Sequence, residues 1–181
     1  MTKYELLFFS LFLLLGFTFS HSQSKESGPV IMGFGEVWTI ENVDFITDIN
    51  KEYKVVFDIM NSADEPDELN KSIETAARFL NMHAQSGVPV SNLKVALVVH
   101  NMASKDLLLN SAYKSRFKTN NPNLELIEKL IKADVEIIFC GQSSLSRNMP
   151  ITETITGVKL SLSAMTALIG LQDDGYQLIK F

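Results

Sequence analysis

"LKVALVVH", Leu93 to His100, is apolar almost throughout and ends on a histidine. A strand reads this way when helices cover both of its faces, because neither face then needs polar residues. Its surroundings repeat the pattern. Upstream, "YKVVFDI", Tyr53 to Ile59, is a second short β-rich run, followed by the acidic loop "NSADEPDELN". From Leu69, the spacing of Leu69, Ile73, Ala76, Ala77 and Leu80 gives a helix with one apolar face. That helix runs to about Gln85 and stops at Ser86-Gly87, with glycine where a C-terminal cap needs it. Downstream, a helix is expected from Ser104, as its N-cap, to about Lys118. After "NNPN" a further helix sets Leu124, Ile127, Leu130 and Ile131 on one side. Glu125–Lys129 and Glu128–Lys132 stand as charge pairs on the other. "VEIIFC", Val135 to Cys140, is the next strand. "VKLSLS", the helical "AMTALIGLQ" and "YQLIKF" close the chain, the last entered through Asp173-Asp174-Gly175.

Alternating strands and helices imply a single three-layer α/β/α domain on a mostly parallel sheet of about five strands, with right-handed crossovers. Ligands of such sheets bind beyond the carboxyl ends of the strands. The residues there are Asp58, His100 with Asn101, and Cys140 with Gly141 and Gln142.

Cys140 is the only cysteine of 181 residues. One reading makes it packing, since free cysteine behaves as a small buried hydrophobe. The other makes it a presented thiol. Gly141 lets the chain turn and leaves the sulfur uncrowded, the following serines can cap a short helix whose N–H groups favour a thiolate, and Arg147 adds nearby positive charge. His100 is either a strand-end hydrogen-bonding residue or a base or charge partner for Cys140. Asp58 is either a loop-capping carboxylate or part of the same rim. His83, at the edge of its helix's apolar stripe, reads as structural or interfacial.

Several classes are disfavoured. A net charge of −5 does not suit a nucleic-acid surface. One cysteine with three histidines makes a poor metal set. Gly33 and Gly35 lack the helix and third glycine of a dinucleotide loop, and no phosphate-loop or G-x-S-x-G pattern is found. No cofactor is expected. "PVIMGFGEVWTI" reads instead as an edge strand or hairpin.

The first residues read as a secretory signal peptide: Lys3, an apolar run from Leu6 to Phe19, then Ser20-His21-Ser22. The run is about 14 residues, short of the roughly 20 that span a bilayer. The expectation is cleavage after Ser22, with no stable membrane insertion afterwards and a secreted or periplasmic location. The segments are then a signal peptide over 1–22, an arm over 23–52 and an α/β domain over 53–181. A lone thiol in an oxidising compartment is worth notice, because exported proteins usually pair their cysteines.

Taken together, "YKVVFDI", "ARFLNMH", "VALVVHNMA", "NPNLELIEKLIKADVEIIFCGQS" and "LSAMTALIGLQDDGYQLI" resemble the DsrE/DsrF-like family, in particular its exported bacterial members. The resemblance covers roughly Gly28 to Phe181. It implies a three-layer α/β sandwich and homo-oligomers, often trimers or hexamers. For some members it implies sulfur relay, in which a strand-end cysteine carries sulfane sulfur as a persulfide between a thiol or persulfide donor and an acceptor protein. The matching position is Cys140, with Arg147 further on. Two positions depart from the family habit: Asn101 and Asp134 stand where glycine is common. The residues leave two functions open, a persulfide carrier and a non-catalytic oligomeric binding module with a structural cysteine.

Overall fold

Strands β1 (Tyr53–Ile59), β2 (Leu93–Val99), β3 (Glu136–Cys140), β4 (Lys159–Ser161) and β5 (Gln177–Ile179) form one sheet in the order β4-β3-β2-β1-β5. Every pairing is parallel. The computed structural model describes residues 24–180, so the signal peptide expected over 1–22 lies outside the described residues.

The strand order dictates the layers. From β1 the chain steps outward to β2, β3 and β4, then returns across the sheet to put β5 on the far side of β1. Right-handed crossovers in opposite directions put their helices on opposite faces. Helices α1 (Lys71–Gln85), α2 (Asn110–Phe117) and α3 (Leu124–Lys132) belong to the outward steps. They pack with Val55, Phe57, Val95, Leu97, Ile137 and Phe139 in the main core. The return helix α5 (Ala164–Asp173) packs with Val56, Ala96, Val98 and Cys140 on the other face. The short helix α4 (Gly141–Ser146) links β3 to the β4 segment.

Helix α1 starts at Asn70, whose side chain accepts from the Ser72 and Ile73 amides, and ends before Gly87 at φ +91°. The helix expected over 104–118 is broken. Residues Asn101–Leu107 form a 3-10 turn, Leu108 bridges Thr154, and α2 begins only at Asn110. Ser104 caps no helix; its hydroxyl donates to the Asn101 carbonyl at 2.7 Å. The break follows from Asp106, which is fully buried and accepts from Ser62 (2.9 Å), Asn70 (2.7 Å) and Lys105 (3.1 Å). Turning the segment into a regular helix would strip those partners from a buried carboxylate. In α3, the Glu125–Lys129 pair closes at 2.7 Å, and Lys129 also reaches the Met32 carbonyl.

The arm contributes no regular strand. A single antiparallel bridge joins Glu26 to Val37. The loop between them is held by Asn81 of α1, which is fully buried. Its Oδ1 accepts from the Val30 and Ile31 amides, and its Nδ2 donates to the carbonyls of Ile31, Phe34 and Gly35.

Asn101 and Asp134 take left-handed backbone conformations, φ +52° and +61°. Glycine does this without penalty, and Asn and Asp are the side-chain residues that tolerate it best. Both residues therefore hold a backbone conformation that glycine adopts freely.

Candidate functional site at the carboxyl edge of the sheet

Because all five strands are parallel, their carboxyl ends share one edge. The side chains of alternate residues also share one face. Val56 of β1, Ala96 and Val98 of β2 and Cys140 of β3 line the face under α5. The register pairs Val99 with Phe139, so His100 and Cys140, one residue on, stand level at the ends of adjacent strands. The sequence-predicted rim is thus assembled, but as two clusters rather than one.

The first surrounds the sulfur. Cys140 is 4% exposed and forms no disulfide. It is the last residue of β3 and the N-cap of α4. The amides of Gln142 and Ser143, in the first turn of α4, have no helical acceptor and favour negative charge on the sulfur. Ala164, at the start of α5, packs in the same buried cluster as Cys140, and its amide favours the thiolate too. The Ser143 hydroxyl accepts from the Asn101 amide at 3.0 Å, which leaves its own proton free to donate. Burial pushes the Cys140 thiol up, but the Ser143 amide and hydroxyl, then the Ala164 and Gln142 amides, outweigh it and hold the thiol below its ordinary value.

Gly141 fits for a different reason from the one expected. It carries no positive φ; it is the first residue of α4. A Cβ there would lie 2.6 Å from the Ser161 carbonyl oxygen. Glycine is needed so that the end of β4 can run close by, which carries Ala164 to the sulfur. Arg147 does not act on the sulfur: its guanidinium donates to the Asn101 side chain, fixing the loop that supplies the Asn101 amide to Ser143. Gln142 contributes its amide, while its side chain turns to the Leu162 carbonyl at 3.3 Å.

The second cluster is ionic. His100 Nε2 lies 2.7 Å from Asp58 Oδ1, and Lys180 Nζ lies 2.8 Å from Asp58 Oδ2. Burial raises the Asp58 carboxyl, yet Lys180 and His100 hold it lower overall. An ionised Asp58 accepts, so Nε2 carries the proton and a neutral ring keeps its Nδ1 as the acceptor. His100 therefore has a partner that orients it, and that partner is Asp58 rather than the sulfur.

Sequence reasoning missed Ser143 as an individual, Ala164, and Lys180. Only Ser143 left a signal, in the serines after Cys140. His83 bonds the Phe79 carbonyl at 2.8 Å and lies against the Phe79 ring, on the opposite face from Cys140. Among the described residues, no group of three or more His, Cys, Asp or Glu side chains could hold a metal ion. No helix among them is long and apolar enough to cross a membrane.

A sequence profile of the DsrE/DsrF-like family matches residues 54–181, from β1 through the whole sheet and both helical layers. The chain belongs to the DsrE/DsrF-like family. Two solved structures share the fold of this DsrE-like chain. The ychN protein from E. coli aligns at 19% identity with a TM-score of 0.53, and MTH1491 of Methanobacterium thermoautotrophicum, a protein of unknown function, at 18% and 0.51. Each alignment covers 71% of this chain and 99% of the other. No curated protein matches the chain.

Proposed function

We propose that this DsrE-like protein is an exported sulfur carrier that holds sulfane sulfur as a persulfide on Cys140. The observation that supports it is the place of Cys140 at the end of β3 and the N-cap of α4, beside the first-turn amides of Gln142 and Ser143, which have no helical acceptor. A packing cysteine gains nothing from that place, whereas a thiolate is stabilised by it. The chemistry balances without an outside oxidant. The Cys140 thiolate attacks the outer sulfur of a donor R–S–SH. A new S–S bond forms on Cys140, the donor's S–S bond breaks, and the donor leaves as its thiolate. An acceptor thiolate then attacks the outer sulfur, and Cys140 departs as a thiolate, stabilised by the same donors. In this proposal His100, held by Asp58 at the end of the adjacent strand, is the candidate to protonate the departing donor thiolate.

Partners are a persulfide-bearing donor and a thiol acceptor. Export through the amino-terminal apolar segment belongs to the same proposal, as does a homo-oligomer. A protein that meets oxidants with one cysteine avoids forming an internal disulfide.

The competing reading, a binding module with a structural cysteine, draws on the burial of Cys140 among Val56, Ala96 and Val98. One experiment separates the two. The folded protein is treated with polysulfide and weighed by intact mass spectrometry. The carrier gains one sulfur, lost again on reduction, and Cys140→Ser gains none. A Cys140 that takes up sulfur or alkylating reagent only after denaturation refutes the carrier.

A further inference from the structure

We infer that the cleft between α1, β1 and β5 receives the amino-terminal arm of a second copy of this chain. The cleft lies on the face opposite Cys140 and measures about 910 Å³. Val55, Phe57, Phe79 and Ile179 give it an apolar floor. Lys51, Lys54 and Arg78 line its rim against the single carboxylate of Glu52. Lys54 is paired with Glu52 at 3.5 Å, and Arg78 bonds the Thr75 hydroxyl. Lys51 makes no ion pair among the described residues.

The arm is its chemical complement. "TIENVDFITDI", Thr39 to Ile49, carries Glu41, Asp44 and Asp48 and no basic residue. Its apolar side chains are left in water: Phe45 is 93% exposed, Ile46 78% and Ile40 67%. Single exposed hydrophobes are ordinary, but a run of them in one segment marks a contact surface. The backbone gives a second, independent reason. Among the described residues, no backbone hydrogen bond serves 38–47. Strand β5 is an edge strand, paired only with β1, and its Gln177 and Ile179 line the cleft. The arm bends at Asn42, Asp44 and Phe45, but its unpaired backbone and the outer edge of β5 can satisfy one another by strand addition once it straightens.

The arm leaves the body at Val37 and rejoins it at Lys51, both in the cleft wall. Two copies that face one another across this wall can each lay an arm in the other's cleft, so the exchange is self-complementary and closes. Nothing in the inference depends on the sulfur chemistry.

The test uses a photoreactive phenylalanine analogue at position 45 in an equal mixture of ¹⁴N- and ¹⁵N-labelled protein. The expected products are mixed-label cross-links from position 45 to β1, β5 or α1. In parallel, Phe45→Asp should weaken self-association about tenfold or more in light scattering, through loss of a buried aromatic ring. Phe45 is so exposed that the fold does not depend on it. Arg78→Glu should weaken it in the same sense. Cross-links confined to one label would show that the arm fills its own cleft, and would overturn the inference. So would cross-links to the α5 face, a monomer at micromolar concentration, or an assembly indifferent to Phe45→Asp.

Discussion

Ser143→Ala removes one methylene-borne hydroxyl and tests the site at its centre. In the wild type that hydroxyl accepts from the Asn101 amide at 3.0 Å and helps to hold the Cys140 thiol below its ordinary value. A hydrogen bond to a charged group contributes about 1.5–3 kcal/mol. Losing a contribution of that size should shift the thiol–thiolate equilibrium toward the thiol by about 10- to 100-fold, at roughly 1.4 kcal/mol per factor of ten. The remaining thiolate is more basic and so more nucleophilic. With a Brønsted coefficient of about 0.5, this restores roughly half of the loss on a logarithmic scale. The net expectation is alkylation by iodoacetamide slowed about 3- to 10-fold at neutral pH, with the pH–rate midpoint moved upward. Ser146→Ala is the control, because its hydroxyl reaches only the Ser143 carbonyl, at 3.4 Å. The variant also orphans the Asn101 amide, so a stability loss of about 1–3 kcal/mol accompanies it. The pH profile distinguishes the two effects, since simple destabilisation opens the site and speeds alkylation. A midpoint and rate unchanged from wild type would refute the role of Ser143 in holding the Cys140 thiol below its ordinary value.

Three further outcomes are expected. Gly141→Ala sets a methyl 2.6 Å from the Ser161 carbonyl, so β4 must move and Ala164 with it; alkylation of Cys140 should again move to higher pH, and an unaltered profile would show that the Ala164 amide is dispensable. Asp106→Ala leaves Lys105, Asn70 and Ser62 without their shared acceptor and should cost about 3–5 kcal/mol in urea unfolding; a loss under 1 kcal/mol would deny the network its structural role. Asp58, lowered by Lys180 and His100 against its burial, contributes stability that is full above its unfolded value of about 3.8 and is lost as pH falls through the lower folded value; Asp58→Asn should flatten the acid limb of a stability–pH curve below pH 4, and an identical limb would argue against the cluster.

The sheet was legible because its strands are short apolar runs set between helical spacings, and because an all-parallel order leaves little choice of edge. Asp58, His100 and Cys140 came to that edge for the same reason. What the pattern could not carry was anything set by tertiary contact. Ala164 stands 24 positions beyond Cys140 and reaches it only because Gly141 lets β4 pass close. Lys180 joins Asp58 only because β5 returns beside β1. The charge of Arg147 suggested a direct partner for the sulfur, whereas its fork is spent on Asn101. The helix expected from Ser104 failed because periodicity does not register a buried aspartate such as Asp106, whose partners override it.

Asn81 joins the arm to helix α1 through one amide group that has no access to water. The loop 30–35 and the middle of α1 therefore open together or not at all, since parting them would leave a buried amide and several backbone groups without partners. In hydrogen exchange, the amides of Val30 and Ile31 should be protected like the helix they bind, not like the unpaired backbone that begins at Trp38. The family profile starts at residue 54, yet the cooperative unit of this chain reaches back to the Asn81-bound loop. A protease that removes everything before β1 would release a body whose first helix carries a polar wound.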